Sequence, residues 1–329
     1  MSSQTSIVYP WLRGYWGRLS RYQAQDRLPS AIMLVGSEGL GLLEFATAFA
    51  GRTFCLSAQA NGLLCGECAS CLLFNAGNYP DFFHLDPEEG KASIKIDAIR
   101  KLSEALALSS QYAKPRVVVI NPATAMLHQA ANSLLKTLEE PSENTCLILI
   151  ADKVSKISAT IRSRCQIITI KNIDLSEAEN WLKNQGCEKA KEYLNLANHL
   201  PILAYELWQK EALVVRTEVF KDFMSLVKGQ LDPLLFAGKC VGLKGFPVLT
   251  WLTSWLTDAI KCSNNPEDSW LLNPDLKDDL KVLAETLNLS NIHKLLEKLG
   301  QLINLESSQV NQQLLLEDFA IQCYSLKIK

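Results

Sequence analysis

Four cysteines, Cys55, Cys65, Cys68 and Cys71, stand in the pattern C-x9-C-x2-C-x2-C. Two residues between ligands let one tight turn aim both sulfurs at a single ion, so four thiolates could close a tetrahedral zinc site. Gly62, Gly66 and several small residues would let the backbone bend around such a centre. A site filled by four sulfurs has no open position for water, so this zinc would fold a loop and not catalyse. Unrelated core cysteines or an adventitious disulfide are the plainer alternatives, and an Fe–S cluster also takes four cysteines. Nothing else in the sequence points to redox work.

A second constellation is defined by what it lacks. Gly36-Ser-Glu-Gly-Leu-Gly41-Leu42-Leu43 keeps the spacing of a phosphate-binding loop, G-x-x-x-x-G-K-[ST], after the apolar run Ala31–Val35 and before a helical pattern. Leu42 replaces the lysine that would reach the β/γ-phosphates, and Leu43 replaces the hydroxyl that would hold Mg²⁺. After the apolar run Arg116–Ile120, where an ATPase needs carboxylates, the chain reads Asn121-Pro122-Ala123-Thr124. Neither nucleotide hydrolysis nor a nucleotide held in cis is expected. The third constellation is Ile161-Arg162-Ser163-Arg164-Cys165. Arginines near a helix end ordinarily complement its dipole and stay solvated.

The elements that would position these groups alternate through the first half. Apolar runs at Ala31–Val35, Asp81–Leu85, Arg116–Ile120, Cys146–Ile150 and Gln166–Ile170 read as buried parallel strands. Helical patterns lie between them at Leu42–Phe54, Ala98–Leu108 and Ala130–Leu138, with a weaker one before Ser163. Asp97 is the expected N-cap of the second, and Pro141 the stop of the third. This alternation implies a parallel sheet covered on both faces. Beyond Ile170 the pattern is helical: short helices broken at Gly186 and Pro201, then a bundle from about residue 212. Breaks are expected at Gly245–Pro247, at Asn264-Asn265-Pro266 and over Asn304–Ser308. One apolar face is Val248, Leu252, Trp255, Leu256 and Ala259; another is Leu295, Leu296, Leu299, Leu302 and Ile303. The fold class is therefore α/β plus all-α. Its divisions are 1–170, carrying the degenerate loop and a zinc module at 55–71, then 171–210, then 211–329.

Composition narrows the function classes. The 329 residues are 48% hydrophobic, with a formal charge of −2. That balance argues against gripping DNA mainly through the chain's own basic surface. No apolar run is long enough to span a membrane, and the first residues lack an export pattern, so a cytoplasmic protein is expected. The six remaining cysteines are scattered singly and read as small buried hydrophobes. His84, His128, His199 and His293 form no visible pair, and the seven tryptophans read as core and interface anchors.

Together with Tyr9-Pro-Trp-Leu12, Asn78-Tyr-Pro-Asp81, the block Ala131–Pro141 (Ala-Asn-Ser-Leu-Leu-Lys-Thr-Leu-Glu-Glu-Pro) and Ser163-Arg-Cys165, these features resemble the bacterial clamp-loader branch of the AAA+ proteins. The likeness is dense over about residues 5–170, thinner over 171–210, and mostly architectural beyond. It implies a P-loop-type AAA+ domain, a small helical lid and a C-terminal helical collar. It also implies that Arg164, framed by Ser163 and Cys165, is an arginine finger acting in trans on a neighbour's ATP. The partners implied are the γ/τ and δ clamp-loader subunits in a hetero-pentamer and, through that assembly, the sliding clamp and primed DNA. Two departures deepen the case against a cis site. Ala151-Asp152 stands where ATP-hydrolysing relatives keep a sensor threonine, and Asn198-His-Leu-Pro201 lacks their sensing arginine. The rivals are an ATP-driven motor, which would need Lys and Ser/Thr at positions 42 and 43, and a stand-alone zinc-dependent nucleic-acid-binding module.

Overall fold

The structure is a computed structural model that describes residues 8–25, 27–59, 62–88, 90–108, 110, 114–263, 267, 270–305 and 311–326. The expected break at 264–266 and most of the one at 304–308 lie outside these residues. Contacts divide the chain into two compact units, Met1–Trp181 and Leu182–Lys329.

The first unit is built on a five-stranded sheet of β1 (Ala31–Val35), β2 (Phe82–Leu85), β3 (Arg116–Ile120), β4 (Thr145–Ala151) and β5 (Gln166–Thr169). Its order is β2-β3-β4-β1-β5, with every pair parallel. The inner strands β1, β3 and β4 are buried at every position, which is why they read as unbroken apolar runs. The helices are α1 (Arg13–Ala24), α2 (Leu42–Phe54), α3 (Ala69–Asn75), α4 (Ile96–Ala107), α5 (His128–Glu139) and α6 (Ala159–Arg162). On one face, Met33, Val118, Ile120, Leu147 and Leu149 pack with Ile99, Leu102 and Leu106 of α4 and Leu134 and Leu138 of α5. On the other, α2 packs on β3 and β4. Trp16 of α1 meets Phe45 and Phe49 of α2 edge-on, at 5.7 and 6.1 Å between ring centroids.

Local differences from the sequence reading have physical reasons. Helix α4 starts at Ile96 with Lys95 at its cap, so Asp97 is not the N-cap. It sits in the first turn, where a carboxylate suits the dipole and pairs with Arg100 at 3.7 Å. Arg116 opens β3 yet is buried, because its Nη1 donates to the carbonyls of Leu106 (2.8 Å) and Leu108 (2.6 Å). The guanidinium thus satisfies acceptors left over at the end of α4.

Helix α7 (Leu175–Asn184) runs across the division between the units. In the second unit follow α8 (Ala190–Leu196), α9 (Pro201–Gln209), α10 (Ala212–Val227), α11 (Pro233–Gly242), α12 (Val248–Cys262), α13 (Lys277–Leu287), α14 (Leu289–Leu305) and α15 (Gln312–Ser325). The apolar face of α12 is buried as expected, and Leu295, Leu299 and Leu302 of α14 are buried too. Ile303 is 40% exposed and lies outside that seam. A polar node crosses this apolar bundle. Fully buried Asp258 accepts from the backbone N and Nδ2 of Asn273, both at 2.8 Å. Asn273 accepts from buried Arg216, which also forks onto Asp275. No helix among the described residues is long and apolar enough to cross a membrane.

Candidate functional site

The three constellations fall on different parts of the first unit. The degenerate loop leaves the C-terminal end of β1, held there by Gly36 N–H donating to the Ala151 carbonyl at 3.0 Å. Gly41 has φ +81°, and a Cβ there would come within 2.4 Å of the Tyr9 ring, so glycine is required by both conformation and space. Tyr9 stacks on Trp11 at 4.9 Å between centroids, and the Trp11 indole donates to the Leu40 carbonyl at 2.9 Å. Burial, with Glu44 nearby, pushes the Tyr9 phenol up to about 12. Leu42 is 5% exposed. Its Cδ1 and that of Leu40 both lie 3.2 Å from where a Gly36 Cβ would be. Two leucine side chains thus crowd the base of the loop where a working site would present a lysine and a hydroxyl.

Helix α2 ends at Cys55, whose N–H bonds to the Gly51 carbonyl, and here the cysteine module begins. Cys65 follows in a loop, Cys68 is the N-cap of α3, and Cys71 lies within that helix. The three closely spaced cysteines therefore do not line one helix face. The four sulfurs lie within 4.8 Å of one another, with Cys65 Sγ and Cys71 Sγ 3.8 Å apart. Tetrahedral thiolates about 2.3 Å from a common ion stand about 3.8 Å from each other, so the set could hold a metal. Gly66, at φ +82°, makes the turn between Cys65 and Cys68. The Cys65 N–H donates to Cys55 Sγ at 3.3 Å, and the Cys68 N–H to Cys65 Sγ at 3.4 Å. Such donation stabilises thiolate. Burial raises Cys68, but N–H groups of Leu56 and Cys71 outweigh it and bring the thiol down to about 6. Below the module, Phe54 stacks on Tyr79 (4.0 Å) and Phe74 meets Phe82 of β2 (5.0 Å), seating it on the sheet's edge.

Arg164 lies in the turn between α6 and β5. Ser158 caps α6 by accepting from the Ile161 N–H, and the turn closes with Arg164 N–H on the Ile161 carbonyl. The framing residues do opposite jobs. Cys165 packs against the main core, where burial pushes its thiol up to about 11 and keeps it neutral. Exposed Ser163 donates to the Thr160 carbonyl. The Arg164 guanidinium donates from Nη1 to Thr160 O (2.9 Å) and from Nη2 to Glu139 Oε1 (2.6 Å). Arg162, at the end of α6, is partly exposed.

The sheet fixes the distance between the loop and this arginine. Strands β1 and β5 are parallel, with Ile32 opposite Gln166 and Val35 opposite Thr169. Gly36 therefore follows the C-terminal edge, while Arg164 precedes the N-terminal edge. At about 3.3 Å per residue, roughly 20 Å of strand separates them. Sequence reasoning singled out Arg164 but gave no role to Glu139, which appeared only within the Ala131–Pro141 block and beside a helix stop. Its partnership spans 25 residues of sequence separation, and no local periodicity signals it.

Two family models match the chain. The model for the DNA polymerase III delta subunit covers residues 13–174, and the one for its C-terminal part covers 210–324. Among curated proteins, DNA polymerase III subunit delta' of Pseudomonas aeruginosa is 30% identical over 97% of this chain and 98% of its own. The subunit delta' of Escherichia coli K12 is 29% identical over 95% and 94%, and that of Yersinia pestis is 32% identical over 77% and 76%.

Proposed function

Because this chain belongs to the family of DNA polymerase III delta' subunits, the clamp-loader AAA+ proteins, we propose that it is the member of the loader that lends an arginine and spends no ATP of its own. The observation that carries this reading is the placement of Arg164 on the sheet edge opposite the chain's own loop. An arginine side chain cannot cross about 20 Å of strand, so a phosphate that meets Arg164 must belong to another molecule. A guanidinium set against a transferring phosphoryl group neutralises developing charge, an effect worth roughly 10³–10⁵ in rate in the best-studied cases. The recipient would be the ATP pocket of an adjacent γ/τ subunit.

The other parts fit that division of labour. Leucines at positions 42 and 43 leave no lysine and no Mg²⁺-holding hydroxyl. The four cysteines would hold zinc in a closed, structural site that pins the excursion between α2 and β2. Residues 171–210 would form the lid, and 211–329 the collar through which the subunits associate. In a hetero-pentamer with γ/τ and δ, working in the cytoplasm, the chain would be a comparatively fixed end of the ring. Hydrolysis triggered across its Arg164 face would follow engagement of the sliding clamp and primed DNA.

The test is reconstitution. Mixed with γ/τ and δ, the chain should appear in a complex of defined mass, and that complex should hydrolyse ATP and load clamps. The isolated chain should release no phosphate. Phosphate release by the chain alone, or failure to assemble, would overturn the reading.

A further inference from the structure

We infer that Glu139 is the positioning residue for Arg164, holding its guanidinium ready before any neighbour arrives. This rests on the arginine-finger reading given above. Arginine is long and costly in rotamer freedom to fix, and unheld it would sweep a wide volume of solvent. Here it is tied at both ends of its fork. Nη1 donates to the Thr160 carbonyl at 2.9 Å and approaches Ser163 Oγ at 3.4 Å, while Nη2 donates to Glu139 Oε1 at 2.6 Å. Among the described residues Nε–H has no acceptor, and Nη2 keeps a second proton. The contacts fix the plane of the group and leave donors to spare for an anion.

Glu139 can hold that plane because its own backbone is fixed. It is the last residue of α5, directly after buried Leu138, and α5 packs on both α4 and α6. The pair is poorly placed to stabilise the fold. The Arg164 and Glu139 side chains are 34% and 49% exposed, and ion pairs that wet contribute little to stability. What remains for this contact is orientation. Preorganised donors cost no rearrangement at the moment of reaction, whereas misplacement of a catalytic group is expensive.

The experiment uses the reconstituted complex and reads single-turnover ATP hydrolysis, clamp loading and the ATP KM. Glu139→Ala should slow hydrolysis at the neighbouring pocket by about tenfold, with KM and the melting temperature unchanged. Glu139→Gln keeps an acceptor of the same reach and should restore most of the rate. Added to Arg164→Ala, Glu139→Ala should have no further effect, as expected of residues that act as one unit. A Glu139→Ala complex as fast as the parent, or faster, overturns the inference, as does Glu139→Gln as slow as Glu139→Ala. If Arg164→Ala is slow while Glu139→Ala is not, only this inference falls. If Arg164→Ala itself is silent, the finger reading falls first.

Discussion

The two edges of one parallel sheet present opposite surfaces. At the C-terminal edge the loop Gly36–Leu43 keeps its glycine geometry but is filled by Leu40 and Leu42 and closed by Tyr9 and Trp11. At the N-terminal edge Arg164 stands exposed, tied by two side-chain oxygens and a carbonyl. At the first edge Gly41 is required by its αL backbone and by the close approach of the Tyr9 ring, whether or not a phosphate is bound. A backbone built for one chemistry can therefore persist as packing. At the second edge the Arg164 side chain is about one third exposed and its hydrogen bonds all run to polar atoms.

The largest effect that would break this comparison lies in the module carried by α2. Structural zinc contributes apparent free energies of about 10–16 kcal/mol in small peptides, though a domain with its own core feels only part of that. Cys68→Ser should abolish stoichiometric zinc and lower the melting temperature by about 10 °C, checked by metal analysis and calorimetry. A metal-free chain of unchanged stability would show the cysteines to be ordinary core residues.

Arg164→Ala is the next largest. Hydrolysis at the one pocket it serves should fall about 10²-fold or more, about 2.7 kcal/mol of barrier, with assembly by mass unchanged. A smaller drop in total turnover is expected where other pockets keep working, so clamp loading is the sharper readout. Normal loading by that variant would dissolve the contrast between the edges.

Leu42→Ala probes the other edge and should separate stability from activity. Removing a buried leucine costs about 2–3 kcal/mol through lost burial and the cavity left behind, read by denaturant unfolding. On the proposed reading, in which that loop serves no nucleotide, loading by the assembled complex should not change. A loss of loading at full stability would mean the loop still works.

Much of this was legible in the sequence because it is local. Buried parallel strands read as apolar runs, and the cysteine spacing and the missing lysine are visible without a fold. What stayed hidden depends on long-range partners. Asp97 looked like a cap, but the helix already starts at Ile96, with Lys95 in the cap position. Arg116 and Arg216 are buried because carbonyls and carboxylates elsewhere in the chain receive them. The edge on which Arg164 stands follows only from the register of β1 and β5, and its tether to Glu139 follows from the packing of α5 on α6.

The smallest effect sharpens the account of how the arginine turn is anchored. Cys165 is drawn into the core while Arg164 points out, and burial raises its thiol to about 11 from a reference of 9.0. The unfolded chain releases this proton first, so between pH 9 and 11 the native state binds more protons than the unfolded one. The contribution is fully present below pH 9 and is lost as pH rises through 11. Cys165→Ala should therefore flatten the alkaline fall in stability within that window. A fall should remain within the window and continue above it, because buried Cys146 and Cys240 are pushed up to about 12 and also keep their protons longer in the native chain. Urea unfolding at a series of alkaline pH values measures both. An unchanged slope between pH 9 and 11 would mean that Cys165 ionises freely in the native chain, and that the core does not anchor the turn from which Arg164 projects.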